Sequence, residues 1–250
     1  DKITLRREVA ESLERLNRQN YVARNGDNYS FLTDEEQDIA IDIRNTSVDS
    51  ATIVQSIGQT IFSELYPSKK YKYNKYDFAY DQYIDETIVG AAQGGVRLRF
   101  VTVASDYYNV SEQKLIMDSQ ANNEAIVLLS NEVQYFEELE TAAKIRKYIK
   151  QKNVSQLPES IQDIIRKRQA QARTLEESAK IQIDKAIVGG TFFIYGEKIE
   201  IKYGDARSKL DEAMKQLIES VYSKLNLVNT FYDSDADILN ILNGEPQQSA

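Results

Sequence analysis

Pro158 and the pair Gly189-Gly190 bracket a run whose apolar stripe is sparse: Ile161, Ile165, Leu175, Ala179 and Ala186. Pro158 fits the first turn of a helix, where its missing N–H costs nothing, and the paired glycines stop it. Continued to about residue 188, at about 1.5 Å per residue, such a helix extends roughly 45 Å. A polar rod of that length bridges domains or lies in a long antiparallel pair. The chain of 250 residues has room for one large domain or two to three small ones, with real cores.

Before the rod, the pattern alternates between helix and strand. Leu5, Val9, Leu13 and Leu16 recur at helical spacing, which predicts an amphipathic helix over 3–18. Two short β-prone runs, YVAR and YSFLT, flank Asn25-Gly26-Asp27-Asn28, a hairpin signal because both central turn positions need positive φ. Thr33 and Glu36 then form a capping box that opens the next helix. Helix, hairpin and helix in about 45 residues look like the last part of a winged helix. A further helix is expected over 51–66, with Ile53, Ile57, Ile61 and Leu65 on one face and Pro67 ending it.

Strand periodicity appears at Tyr76, Phe78 and Tyr80, which alternate with Asp77, Ala79 and Asp81, and again in VRLRFVTV at 96–103. EAIVLLS at 124–130 reads as a buried strand, with a polar helix near 111–119 before it and a helix from Asn131 to about Lys150 after it. Strand, helix, strand, helix implies a sheet that is at least partly parallel. Beyond the rod come a hairpin (TFFIYG, then EKIEIKYG) and a helix from Asp205 to about Leu225. Leu210, Met214, Leu217, Val221 and Leu225 line its buried side. A short helix near 235–243 and a frayed tail finish the chain. The expected fold is mixed α/β and helix-rich. It divides into a winged-helix-like segment (1–46), an α/β domain with a mixed sheet (47–150), and a long helix, hairpin and terminal helices (151–250).

Two missing residue types restrict the chemistry. Without Cys there are no disulfides, thiolate nucleophiles or Cys-ligated zinc; without His there is no Ser-His-Asp catalysis and no imidazole base or ligand. Carboxylates, Lys, Tyr or a carboxylate-bound Mg²⁺ remain. The longest apolar run, Ala125 to Leu129, is too short to span a bilayer, and no signal peptide opens the chain. A start at Asp1, inside a helical pattern and without Met, leads us to expect a segment of a larger cytoplasmic protein.

A net charge of −8 argues against nucleic-acid binding by the whole surface. The charge is uneven, however. Between Thr141 and Arg173, Lys144, Arg146, Lys147, Lys150, Lys152, Arg166, Lys167, Arg168 and Arg173 face only Glu159 and Asp163, a local excess of seven positive charges. This is either a set of solvated helix faces balanced by acidic neighbours or a docking surface for phosphates or an acidic partner. Lys144, Arg146, Lys147, Lys150, Arg166, Lys167, Arg168 and Arg173 are the candidate contact residues.

The remaining motifs fall short of a catalytic site. No G-x-x-x-x-G-K-[ST] loop is present to cradle a triphosphate, and Gly94-Gly95 and Gly189-Gly190 precede strands instead of opening helices. Glu200-Ile201-Lys202 resembles the E-x-K half of a metal-dependent nuclease, but TFFIY offers no second carboxylate for Mg²⁺. Asp233, Asp235 and Asp237 imitate a calcium loop with Ile238 in place of its Gly and Gly244 in place of its Glu; helix capping explains them better. The Lys/Tyr stretch from Lys69 to Tyr83 fits a strand on a half-buried sheet better than a single-strand clamp. The hairpin at Arg24–Tyr29 has one Arg and one Asp, and Glu11 and Glu14 sit among the arginines of the helix before it, which favours protein contact or weak contact with a nucleic-acid backbone over base readout.

The segment YVARNGDNYSFLTDEEQDI, Tyr21 to Ile39, resembles the region after the ATPase core in the large P-loop proteins of BREX phage-defence systems, of the BrxC or PglY type. YDFAYDQYID, VRLRFVTV, the Asn131 to Lys150 helix and the hairpin-plus-helix from Thr191 to Leu225 are similar in order. The resemblance implies a cytoplasmic, multidomain, AAA+-like ATPase that oligomerises and works with other BREX components, with ATP and Mg²⁺ as the parent's cofactors. None of its nucleotide-binding residues is present here. We therefore expect a non-catalytic segment without its own cofactor or metal, mediating self-association or contact with another BREX component. A nucleic-acid-binding module using the 141–173 surface and the winged helix is the alternative.

Overall fold

The computed structural model describes residues 2–19, 21–25, 28–92, 94–131, 134–225 and position 239. The chain opens with α1 (Lys2–Arg18), the antiparallel hairpin β1 (Val22–Asn25) and β2 (Asn28–Phe31), and α2 (Asp34–Asn45). The turn residues Gly26 and Asp27 lie outside the described residues. The capping box forms as expected: Glu36 N–H donates to Thr33 Oγ1 at 3.2 Å, and Thr33 N–H donates to Glu36 Oε2 at 3.0 Å. α1 packs on β1 but leaves Leu5 61% and Val9 49% exposed, so the apolar face read from the sequence is only partly covered.

α3 (Ser50–Thr60) is capped by Asp49, whose side chain accepts from Ala51 N–H. The helix predicted as one piece changes pitch near its end, and Ile61–Leu65 form a π turn closed by Tyr66 N–H donating to Ile61 O at 2.7 Å. The wider turn has a packing cause. It turns Tyr66 inward as well, so that Ile61, Phe62 and Tyr66 are all buried while the expected Leu65 packs half-buried against the same core.

A mixed sheet follows. Its strands are β3 (Lys70–Tyr73), β4 (Tyr76–Ile84), β5 (Thr87–Ile88), β6 (Val96–Val101), β7 (Glu124–Leu128), β8 (Thr191–Ile194) and β9 (Glu197–Ile199). The order is β3-β4-β6-β7-β8-β9, with β5 pairing β4. β4, β6 and β7 run parallel and the other pairs are antiparallel. The strand expected over 96–103 stops at Val101, because Thr102 N–H turns away to donate to the Asp85 carboxylate at 2.7 Å. Between β8 and β9, Tyr195 (φ 44°) and Gly196 (φ 91°) make the turn, both at the positive φ that a two-residue hairpin needs.

Alternation along the strands divides the core. Tyr80, Ile84, Leu98, Phe100, Val127 and Phe192 belong to the main cluster with residues of α3. α7 (Ala206–Val221) contributes Leu210, Met214 and Leu217 to the same cluster. Val101, Ile126 and Phe193 form a smaller cluster with Leu115 of α4 (Glu112–Ala121). α7 is capped by Asp205 and ends four residues before the expected Leu225, which still packs on the core.

The long rod is α6 (Glu159–Val188), preceded by α5 (Tyr135–Lys150), which begins four residues later than Asn131. Of the two arrangements expected for a polar rod, domain bridge or antiparallel pair, these two helices form the pair. α6 serves two clusters. Ile164 and Ala172 pack with Ile39, Ile43, Ile145 and Tyr148, while Ala179, Ile183, Ala186 and Ile187 enter the main core. Among the described residues no helix is long and apolar enough to cross a membrane. The expected helix near 235–243 and Asp233, Asp235 and Asp237 lie outside the described residues.

Candidate docking groove

On α5 the buried stripe Leu139, Ala142, Ile145 and Tyr148 leaves an adjacent stripe open, formed by Ala143, Arg146, Lys147 and Lys150. α6 supplies Arg173, Glu176, Glu177 and Lys180 at the i, i+3, i+4, i+7 spacing of one helix face. α3 supplies Thr52, Ser56, Gln59 and Thr60, at the i, i+4, i+7, i+8 spacing that also marks one face. Together they line a groove of about 1070 Å³, with α5 as its floor and α3 and α6 as its walls.

The charges in this groove are partly spent. Arg146 makes a two-pronged pair with Glu176, Nε to Oε1 at 3.0 Å and Nη2 to Oε2 at 2.7 Å, and that carboxylate raises the guanidinium above its ordinary value. Lys180 pairs with Glu64 at 2.6 Å, crossing from α6 to the π turn. Lys147 donates to Ser47 O at 2.7 Å. Lys150 and Arg173 have no hydrogen-bond or ion-pair partner among the described residues. Both are exposed, and with Lys147 they mark the end of the groove nearest the start of α3.

The structure thus brings Arg146, Lys147, Lys150 and Arg173 to one site and places the other candidates elsewhere. Lys144 pairs with Glu140 along α5 at 2.8 Å, outside the groove lining. Arg166 pairs with Asp163 on α6 itself. Lys167 reaches Glu36 of α2 at 3.3 Å. Arg168 donates to Gln171 at 2.8 Å, and burial pulls its guanidinium below the usual range while Glu36 opposes the shift. Lys167 and Arg168 belong to the seam between α6 and α2, while Arg166 stays on the exposed side of α6. Sequence reasoning missed Lys180 and the hydroxyl-bearing wall of α3. The α3 wall was visible only as the polar side of an amphipathic helix, with nothing to say what it would face.

The remaining motifs sit in ordinary structural roles. Gly94 N–H donates to Asp81 Oδ1 at 2.9 Å, so a carboxylate already occupies that amide. A Cβ at Gly190 would meet the carbonyl oxygens of Leu128, Ala186 and Ile187 at 2.9, 3.1 and 3.1 Å. Gly190 N–H is likewise spent, donating to Ile187 O at 3.1 Å. β9 ends at Ile199, which leaves Glu200 and Lys202 beyond the strand, paired with each other at 3.7 Å on the surface. At the N-terminus, Arg7 pairs with Glu11 at 3.6 Å and Arg18 with Glu14 at 4.0 Å, and Arg24 stacks over Tyr29 at 5.9 Å.

No solved structure matches the chain. Residues 46–217 match the family model described as "BREX ATP-binding protein BrxC 4th domain with six-stranded beta sheet". The path β3-β4-β6-β7-β8-β9 has six strands and lies wholly within the matched residues.

Proposed function

The chain belongs to the BrxC family of BREX ATP-binding proteins, and from that membership we propose that it is a non-catalytic assembly and partner-docking segment of a phage-defence ATPase. As a BREX component it acts with other proteins of the system, in the cytoplasm. The observation that carries the docking role is the groove between α3, α5 and α6, where Lys150 and Arg173 stand without counter-ions among the described residues, on a chain of net charge −8. Exposed cations that stabilise nothing within the fold are available to an outside partner. Nucleotide chemistry, on this reading, belongs to other parts of a BrxC-type protein.

The test uses the parent protein carrying Lys150→Glu and Arg173→Glu, expressed with the other BREX components. Co-purification and phage resistance should both fall while the variant stays folded. Normal complexes and full resistance would overturn the docking role. A second reading, nucleic-acid contact, draws on the same two cations. It predicts salt-sensitive retardation of DNA by the isolated chain, weakened by the same reversal.

A further inference from the structure

We propose that the groove takes an acidic, amphipathic α-helix from a partner protein, its apolar side on α5 and its carboxylates toward Lys147, Lys150 and Arg173. This rests on the docking role argued above and adds the chemistry of the occupant.

The shape argues for a helix. α3 and α6 flank α5, so an element laid in the groove touches three helices at once. A helix about 10 Å across rises about 5.4 Å per turn, so a volume of about 1070 Å³ holds roughly two and a half turns. Ala143 is half-buried on the floor and Ala142 lies buried beside it, and these small side chains let another backbone approach α5 closely. A helix can lay its apolar stripe against this low part of the floor, a contact that a phosphate backbone does not use.

Charge selects the sign. Of the three acids in the groove, Glu64 and Glu176 are held in ion pairs by Lys180 and Arg146, and Glu177 is outnumbered by the cations around it. What remains is a cationic end formed by Lys147, Lys150 and Arg173. On α3, Thr52 and Ser56 add hydroxyl donors opposite it. Donors of this kind fit carboxylates. The glutamate pairs within the groove disfavour a continuous run of phosphates, and a peptide can place its carboxylates at one end only.

The experiment uses this chain and a synthetic helix of about 18 residues, five turns at 3.6 residues per turn, with Leu on one face and Glu flanking it. A control peptide carries Gln at every Glu. Fluorescence anisotropy should report binding of the acidic peptide that weakens with salt and falls about tenfold or more with Lys150→Glu and Arg173→Glu. Reversal of Lys70 and Lys72 on the distant strand β3 should leave it unchanged, as should the melting temperature of the groove variant. Equal binding of both peptides, no binding, or binding that survives the groove reversal overturns the proposal. So does DNA binding that the groove reversal abolishes when the acidic peptide fails to bind. Should the parent variant lose its complexes while the peptide does not bind, docking stands and this occupant falls.

Discussion

Glu124, fully buried on β7, accepts a hydrogen bond at 3.1 Å from Arg99 on the neighbouring parallel strand β6. Burial raises the carboxyl of Glu124 above its ordinary value, and the Arg99 charge opposes the rise. Arg99 is itself held over Tyr83 at 5.2 Å and Tyr107 at 5.7 Å. Removing one partner of a buried pair leaves an uncompensated charge, at a cost of about 3–5 kcal/mol. Arg99→Met should therefore lower the urea midpoint sharply, and adding Glu124→Leu should restore much of the loss. Equal destabilisation by the single and double variants would show that packing, not charge, is at stake.

The alternation in VRLRFV was legible as a strand, yet nothing in the run said that its polar side would be covered. Periodicity identifies a face; the neighbour it meets is set by chain that comes much later. The cap at Thr33 and the stop at Gly189 could be read locally because they are satisfied locally. The π turn could not, since it answers to the burial of Tyr66, whose hydroxyl meets Asp211 far along the chain. The groove was half legible. The positive run on α5 and α6 drew notice, but its division between the groove and the α2 seam depends on how three helices pack.

Gly190 stands where the rod turns into β8, enclosed by three backbone carbonyls. Backbone cannot move aside as a flexible side chain can. Gly190→Ala should cost about 1–3 kcal/mol, whereas Gly90→Ala, with open space but a φ of 87°, should cost about 1 kcal/mol from backbone strain alone. Thermal melts of the two variants separate these causes, and equal losses would refute the crowding at Gly190.

Tyr66 OH donates to Asp211 Oδ1 at 2.8 Å, and burial, then Asp211, push the phenol pKa far above its usual value. The phenol therefore stays protonated as a donor. Tyr66→Phe removes a hydrogen bond to a charged acceptor and should cost about 1.5–3 kcal/mol in denaturant unfolding. A loss near zero would mean that water replaces the phenol at Asp211.

Asp85 closes the end of β4 by accepting from Thr102 N–H at 2.7 Å and Thr102 Oγ1 at 2.9 Å. Burial raises its carboxyl above the ordinary value; the Thr102 bonds pull it down, and Glu86 adds to the rise. A carboxyl raised by folding costs stability once ionised. That cost is absent below its unfolded value of about 3.9, grows as pH climbs, and is complete above the folded value. Asp85→Asn should therefore gain on the parent as pH rises from about 3 to 7. A stability difference that stays flat across this range, measured by urea titration at each pH, would contradict the assignment.

Because α6 supplies Ile164 and Ala172 to one hydrophobic cluster and Ile183 and Ile187 to another, the two cannot melt independently without breaking a continuous helix. The rod makes α2 and the sheet a cooperative pair. Amide hydrogens at Ile43 and at Phe100, far apart in the sheet and helix layers, should exchange with solvent through the same opening event, at nearly the same free energy.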